Sequence, residues 1–333
     1  MEPIIKEIKR KLIKSELTEN KLICATNYGG NFIYSINYHS APNTMLELGR
    51  LRELAFRDAG GGTGKSVDID EYDTCEKPFQ QLLVWDPKDR EIVSSYRYLF
   101  GKDIKIDQFG IHSPTAKLFK FSDDFIQNYL PYSIELGRSF VQPKYQVSRT
   151  RKGLFALDNI WDGLGAILYQ HPEIKYVYGK MTMYKNYNPL ARDLILYFLN
   201  KHFSPKEKLM EAYQPLQYYH NIEMLAPVFP HKDFFDDYKI LVSEIAKLNC
   251  RIPPLVNIYM KVASTMQCFG TSDNESFGET EETVILIKIE DENNYLLIHY
   301  FKHDIYKEKI DRHIKPSSLK KLNDYKNILF RKK

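Results

Sequence analysis

The 333-residue sequence predicts an α/β or α+β sheet domain, on three observations. Residues 80–86 (QQLLVWD) and 91–100 (EIVSSYRYLF) flank the turn PKDR and read as a hairpin. Residues 132–141 and 175–183 read as two further strands with an apolar helix, 153–170, between them. A helix over 189–202 follows, and strands interleaved with helices in this order build a sheet with helical cover.

Residues 44–58 carry Leu48, Leu51, Leu54 and Ala55 at helical spacing. Gly60 to Gly64 holds four glycines in five positions, too costly for regular structure, and reads as a flexible loop flanking a site. The helix over 153–170 stops before His171-Pro172. Asn188 is placed to cap the next helix, with Pro189 at its first position. Beyond Phe203 the pattern thins. Residues 232–247 read as a helix, RIPPLVNIYMKVAS as a helix entered through Pro253-Pro254, and ETVILIKIED and NNYLLIHYF as strands that complete the sheet. The N-terminal run EPIIKEIKRKLIKSEL is amphipathic, with Ile4, Ile5, Ile8, Leu12 and Ile13 at helical spacing among lysines. The expected organisation is an amphipathic segment over 1–40, a main domain over 41–300 whose sheet is extended from about 204, and a basic tail over 301–333.

Composition narrows the function classes. Hydrophobic residues make up 43% of the chain, enough for a large core. Net charge is +4, unevenly placed: residues 301–333 hold 11 Lys and Arg against 4 Asp and Glu, a balance of +7, so the rest sums to −3. The two basic amphipathic ends suit peripheral contact with an anionic membrane surface or an acidic protein. No nucleic-acid motif accompanies the charge. Four scattered cysteines give no metal or disulfide spacing, and no run reaches the ~18 apolar residues that span a bilayer. A cytoplasmic protein without metal is expected, at most peripheral on the inner face of the membrane.

Ala59 to Ser66, AGGGTGKS, formally fits a phosphate loop. That loop needs a buried strand before it and a helix N-terminus after it. Here a helix precedes it and the acidic run VDIDEYD follows, whose carboxylates repel a polyphosphate.

Five segments together are more specific. Arg52 precedes Phe56 by four residues, and the cluster Asp68, Asp70, Asp73 follows. Arg97 lies on the next hairpin, and Glu135 and Arg138 on YSIELGRSFVQPKY. This series resembles acyl-homoserine-lactone synthases and their relatives in the GNAT acyltransferase superfamily. The Trp that lines the S-adenosylmethionine site of those synthases is absent, and the glycine loop stands in its place. The ELGRSFVQPKY block (Glu135 to Tyr145), the RIPPLVNIY segment (Arg251 to Tyr259) and Glu275, Phe277 and Gly278 are more similar to the hemolysin-like branch, which includes ornithine-lipid and glycine-lipid N-acyltransferases. The resemblance covers roughly residues 44–290.

The resemblance implies a GNAT fold, a mixed sheet whose two parallel strands, here 132–141 and 175–183, splay apart around a pantetheine arm. It implies transfer of a (3-hydroxy)fatty acyl group from acyl carrier protein to the α-amine of glycine or ornithine, with acyl carrier protein as donor and no further cofactor. Glu135 and Arg138 are then the catalytic pair. Arg52, Phe56, Asp68, Asp70, Asp73 and Arg97 bind substrate. Phe140 and Val141, with Arg149, Arg151, Lys152 and Gly153 of a degraded pyrophosphate loop, receive the phosphopantetheine. A carboxylate near the amine takes its proton, backbone N–H groups of a bulged strand polarise the acyl carbonyl, and Tyr184 or Tyr187 is placed to protonate the leaving thiolate. Glu135 and Arg138 differ by an odd number, so on a regular strand they point to opposite faces. Either a bulge near Gly137 brings both to the cleft, or Arg138 pairs with the aspartate cluster. A buried salt-bridge web without catalysis is the plainer reading of these charges. Two other functions fit the same pieces: a signal synthase of the lactone type, disfavoured by the missing Trp and about 130 extra C-terminal residues, and a non-catalytic peripheral membrane protein on the same fold.

Overall fold

The computed structural model describes residues 1–146, 155–262 and 265–289. The expected strand at 293–301, the basic tail and residues 149–153 lie outside them.

In chain order the elements are α1 (Arg10–Glu16), β1 (Leu22–Ala25), β2 (Phe32–Ile36), α2 (Pro42–Ala59), α3 (Glu71–Thr74), β3 (Gln80–Asp86) and β4 (Glu91–Phe100). Then come the short β5 (Ile106–Asp107), β6 (Gly110–Ile111) and β7 (Phe119–Phe121), followed by β8 (Ser133–Val141), α4 (Ala156–Gln170), β9 (Tyr176–Tyr184) and α5 (Pro189–His202). The chain continues with β10 (Met210–Ala212), α6 (Ile222–Leu225), α7 (Phe234–Lys247), α8 (Pro254–Val262), β11 (Gln267–Asp273) and β12 (Thr280–Lys288).

Among the described residues, eight strands form one mixed sheet in the order β1-β2-β3-β4-β8-β9-β12-β11. Only β8 and β9 run parallel; the other neighbours are antiparallel. One face packs on α4, α5, α7 and α8 through residues such as Leu82, Tyr96, Leu164, Ile195 and Leu241. The other face carries α2, where Leu48, Leu51 and Phe56 meet Leu83, Trp85 and Phe140. Beside it Phe79, Phe119, Phe125 and Tyr178 form a second apolar layer. The central strands β3 and β4 are thus covered on both sides, which buries nearly every residue in them, Ser94, Ser95 and Arg97 included.

Two expectations need correction. The amphipathic N-terminus is helical only over Arg10–Glu16. Before it the backbone is extended: the Glu2 and Ile5 N–H groups donate to the Gly64 and Ser66 carbonyls, and Ile8 N–H donates to Glu47. Pro3 has no N–H, and Ile5 and Ile8 give theirs to partners outside the segment, which breaks the i to i−4 ladder a helix would need. The boundary placed at residue 41 is not a structural break either, because β1 and β2 join the main sheet. Their hairpin turns at Gly29 and Gly30, both with positive φ.

The feature that positions the site is the β8–β9 pair. Its ladder runs only from Ser133↔Tyr176 to Leu136↔Gly179. Beyond that rung the facing edges make no ladder contact with each other, although β9 stays zipped to β12 along its whole length. Gly179 holds the last rung: a Cβ there would lie 2.6 Å from the Leu136 carbonyl oxygen. On its other edge β8 carries a bulge. Ser95 pairs with Phe140 and Arg97 with Gly137, so Arg138 and Ser139 together face Tyr96 alone. Arg138 takes the strain of the bulge with φ of 51°, a left-handed value that non-glycine residues rarely adopt.

Candidate active site

A small cavity opens where β8 and β9 part. Its wall includes Glu135, Arg138 and Ser139 of β8, Lys180 and Thr182 of β9, Arg97, Thr115, Phe56, Phe277 and Glu282. The space accessible to water-sized groups is about 60 Å³. A single water needs roughly 10–15 Å³ on that measure, so the cavity suits a molecule of a few non-hydrogen atoms.

Glu135 sits at its base, buried, on the rung opposite Tyr178. Its Oε1 accepts hydrogen bonds from the Thr115 backbone N–H at 3.0 Å and from the Thr115 hydroxyl at 2.6 Å. Its Oε2 accepts from the Tyr178 hydroxyl at 2.9 Å. A carboxylate has about four acceptor positions, so one on Oε2 is left for a ligand. Burial, then the Glu135 charge, raises the Tyr178 pKa well above the usual phenol range, so this hydroxyl remains a donor.

Both alternatives for Arg138 are realised together. The bulge brings Arg138 to the same cavity as Glu135. Its guanidinium also pairs with Asp68, Nε to Oδ2 3.0 Å, reaches Asp70 at 3.6 Å and lies 4.0 Å from the Phe277 ring centroid. With Arg138 included, three cations and three anions interlock. Arg97 donates to both Asp70 oxygens at 2.9 and 2.8 Å and lies 3.5 Å from Asp73, while Arg52 reaches Asp73 at 3.2 Å. Asp70 also caps α3. Burial pushes the Asp70 carboxyl up, yet Arg97, Arg138 and Arg52 together hold it well below the usual range. Burial lowers the Arg97 pKa, and Asp70, Asp73 and Asp68 more than reverse that.

Of the residues expected to bind substrate, Phe56 and Arg97 border the cavity. Arg52, Asp68 and Asp73 are fully buried behind it and do not. Asp73 pairs with Arg52 and Arg97, and Asp68 pairs with Arg138. Phe56 packs edge-on to Phe277 at 4.9 Å and to Phe140 at 6.3 Å. Phe140 is therefore core, and Val141 is half-buried beyond it. Arg149, Arg151, Lys152 and Gly153 lie outside the described residues. Neither Tyr184 nor Tyr187 borders the cavity. Tyr187 donates to the Arg251 carbonyl, and burial followed by Glu282 raises Tyr184 to about 12.

The glycine loop is tied to helix α2 by hydrogen bonds. Its N–H cradle is filled by the buried carboxylate of Glu53, which accepts from Thr63 N–H at 3.0 Å, Thr63 Oγ1 at 2.8 Å and Gly64 N–H at 2.8 Å. An internal anion occupies the place a phosphate would take. The loop in turn abuts the turn after Phe277, through a bridge between Gly61 and Gly278.

Sequence reasoning missed Thr115, Tyr178, Lys180, Thr182 and Glu282. For β9 the signal was present: in YVYGKMTMY the polar Tyr178, Lys180 and Thr182 alternate with Val177, Gly179, Met181 and Met183. With period two, Val177, Met181 and Met183 face the apolar core, while on the other face Lys180 and Thr182 line the cavity and Tyr178 packs into the second apolar layer. Thr115 arrives from a loop with no such pattern.

The acetyltransferase (GNAT) domain family matches residues 51–156. Glycine N(alpha)-acyltransferase of Phocaeicola vulgatus is 52% identical over 293 residues, which covers 87% of this chain and 89% of that one. The protein of the same name from Bacteroides thetaiotaomicron is 53% identical over 293 residues, covering 87% of each. Among solved structures, a CoA-dependent acyl-homoserine lactone synthase with MTA is 12% identical with a TM-score of 0.37, over 82% of this chain and 89% of that chain. Sequence identity of this extent with both curated relatives decides the assignment: the chain is an acyltransferase with a GNAT domain and belongs to the glycine N(alpha)-acyltransferase family.

Proposed function

We propose that this protein transfers a 3-hydroxy fatty acyl group from the thioester of acyl carrier protein to the α-amine of glycine, giving an N-acylglycine. The observation that carries the reading is the parting of β8 and β9 one rung beyond the Glu135–Tyr178 pair, beside a cavity of about 60 Å³. The size of that space favours glycine over ornithine as acceptor.

The pantetheine arm enters between the parted strands and presents the thioester carbonyl to the bulge of β8. Glycine binds as a zwitterion, and Glu135 takes a proton from its ammonium group through the free position on Oε2. The amine attacks the carbonyl carbon, forming the C–N bond. Backbone N–H groups at the bulge stabilise the oxyanion. Collapse breaks the C–S bond and expels the thiolate, which takes up the second proton of the attacking nitrogen to become the free thiol, while Glu135 passes the first proton to solvent. Arg138 supports this electrostatically and, with Asp68, fixes the bulge.

Arg149, Arg151 and Lys152 are the proposed contact for the acidic carrier and its phosphate. The basic C-terminal tail is the proposed contact with an anionic membrane, where an amphiphilic product partitions. The cytoplasm supplies both substrates. The test is incubation with 3-hydroxyacyl carrier protein and a mixture of amino acids, with mass spectrometry of the lipid extract. An N-acylglycine is expected. An ornithine amide instead would move the acceptor assignment, and absence of any acyl amide would overturn the reading.

A further inference from the structure

Among the described residues three cations border the cavity, and two are already neutralised. Arg97 and Arg138 are held by the aspartate cluster. Lys180 is different. No carboxylate among the described residues forms an ion pair with it, and its Nζ donates one hydrogen bond, to the Pro114 carbonyl at 3.0 Å. An ammonium has three donors, so two remain. Lys180 is half-buried in the cavity wall, on the strand face shared with Tyr178 and Thr182. It follows Tyr178 by two residues, so its Cα lies roughly 6–7 Å further along the strand than the Glu135–Tyr178 rung. A small α-amino acid spans that separation with a hydrogen bond at each end. Burial depresses the Lys180 pKa; Glu282 and Glu135 oppose this, and Arg138 and Arg97 add to it. A bound anion would give the two free donors a direct partner.

We propose that Lys180 anchors the α-carboxylate of the amino-acid acceptor while Glu135 faces its α-amine. The proposal rests on the reading of this cavity as the acceptor site. It adds a specificity rule: the enzyme requires a free carboxylate next to the amine, and a simple amine of equal size is a poor acceptor.

The experiment compares glycine with glycinamide, which keeps the amine and lacks the anion. Wild type is expected to prefer glycine by about 10²-fold in kcat/KM, the scale of a charge-assisted hydrogen bond in a buried site. In Lys180→Met the glycine value falls by about that factor, mainly through KM. Glycinamide turnover stays within a few-fold, which also shows that the variant folds. Lys180→Arg recovers part of the preference. A wild-type glycine-to-glycinamide ratio retained in Lys180→Met overturns the assignment, as does an equal loss with both acceptors. A readout independent of turnover separates this from the function itself. Glycine, but not glycinamide, raises the melting temperature of wild type, and Lys180→Met abolishes the shift. If wild type acylates no amine, the acylation reading fails, while the presence or absence of that shift still decides the role of Lys180.

Discussion

Glu135 and Tyr178 face each other across the parallel β8–β9 ladder and share a 2.9 Å hydrogen bond one rung before the strands part. The last rung fixes the fork, and the carboxylate sits at its base. If Glu135 is the base, Glu135→Gln lowers kcat by about 10²–10⁴-fold. The amide oxygen still accepts from Thr115, so the melting temperature stays within a few degrees of wild type. Steady-state kinetics with a thermal melt checks both, and full activity would remove Glu135 from the chemistry.

Gly179 marks where pairing ends. In Gly179→Ala the new Cβ would meet the Leu136 carbonyl oxygen at 2.6 Å. Overpacking of this kind costs about 1–3 kcal/mol. Urea unfolding should show that loss, and activity should fall further than stability because the fork moves.

Asp73 bridges Arg52 and Arg97 with no solvent contact and also accepts from Gln81 at 3.0 Å. Asp73→Asn leaves two buried guanidiniums short of a counter-charge. A loss of about 3–5 kcal/mol is expected from the denaturant midpoint.

Asp70 gives the pH dependence. Its folded-state pKa lies below its unfolded value, because the arginines outweigh the burial that raises it. The unfolded chain therefore binds more protons as pH falls. The stabilisation is complete above the unfolded value of about 3.9 and is lost progressively as pH drops toward the lower folded value. Urea midpoints measured from pH 6 to pH 3 should fall, and Asp70→Asn should flatten that slope.

If Arg149, Arg151 and Lys152 dock the carrier, reversing all three charges raises the KM for acyl carrier protein and weakens its salt dependence, with kcat little changed. Kinetics at two ionic strengths decides it. An unaltered KM would place the carrier elsewhere.

Much of the fold was legible because its signals are local. The PKDR hairpin, the Asn188-Pro189 helix start and the apolar helix before His171 were each declared by a few adjacent residues. Strand β11 was not, because Gly270, with φ of 103°, breaks its pattern at a bulge. The N-terminus misled because its apolar spacing suits a helix, while its N–H groups found partners on a distant loop.

The sequence by itself determined which residue types were at hand: a glutamate on a central strand, an arginine three positions on, and a cluster of aspartates upstream. Only the tertiary structure decided their division of labour. It buried Arg52, Asp68 and Asp73 behind the site, turned Arg138 into it through a strained bulge and left Lys180 without a direct ion pair among the described residues. Those outcomes depend on contacts between residues 20 to 100 or more apart, and on where two strands stop pairing, which no local pattern encodes.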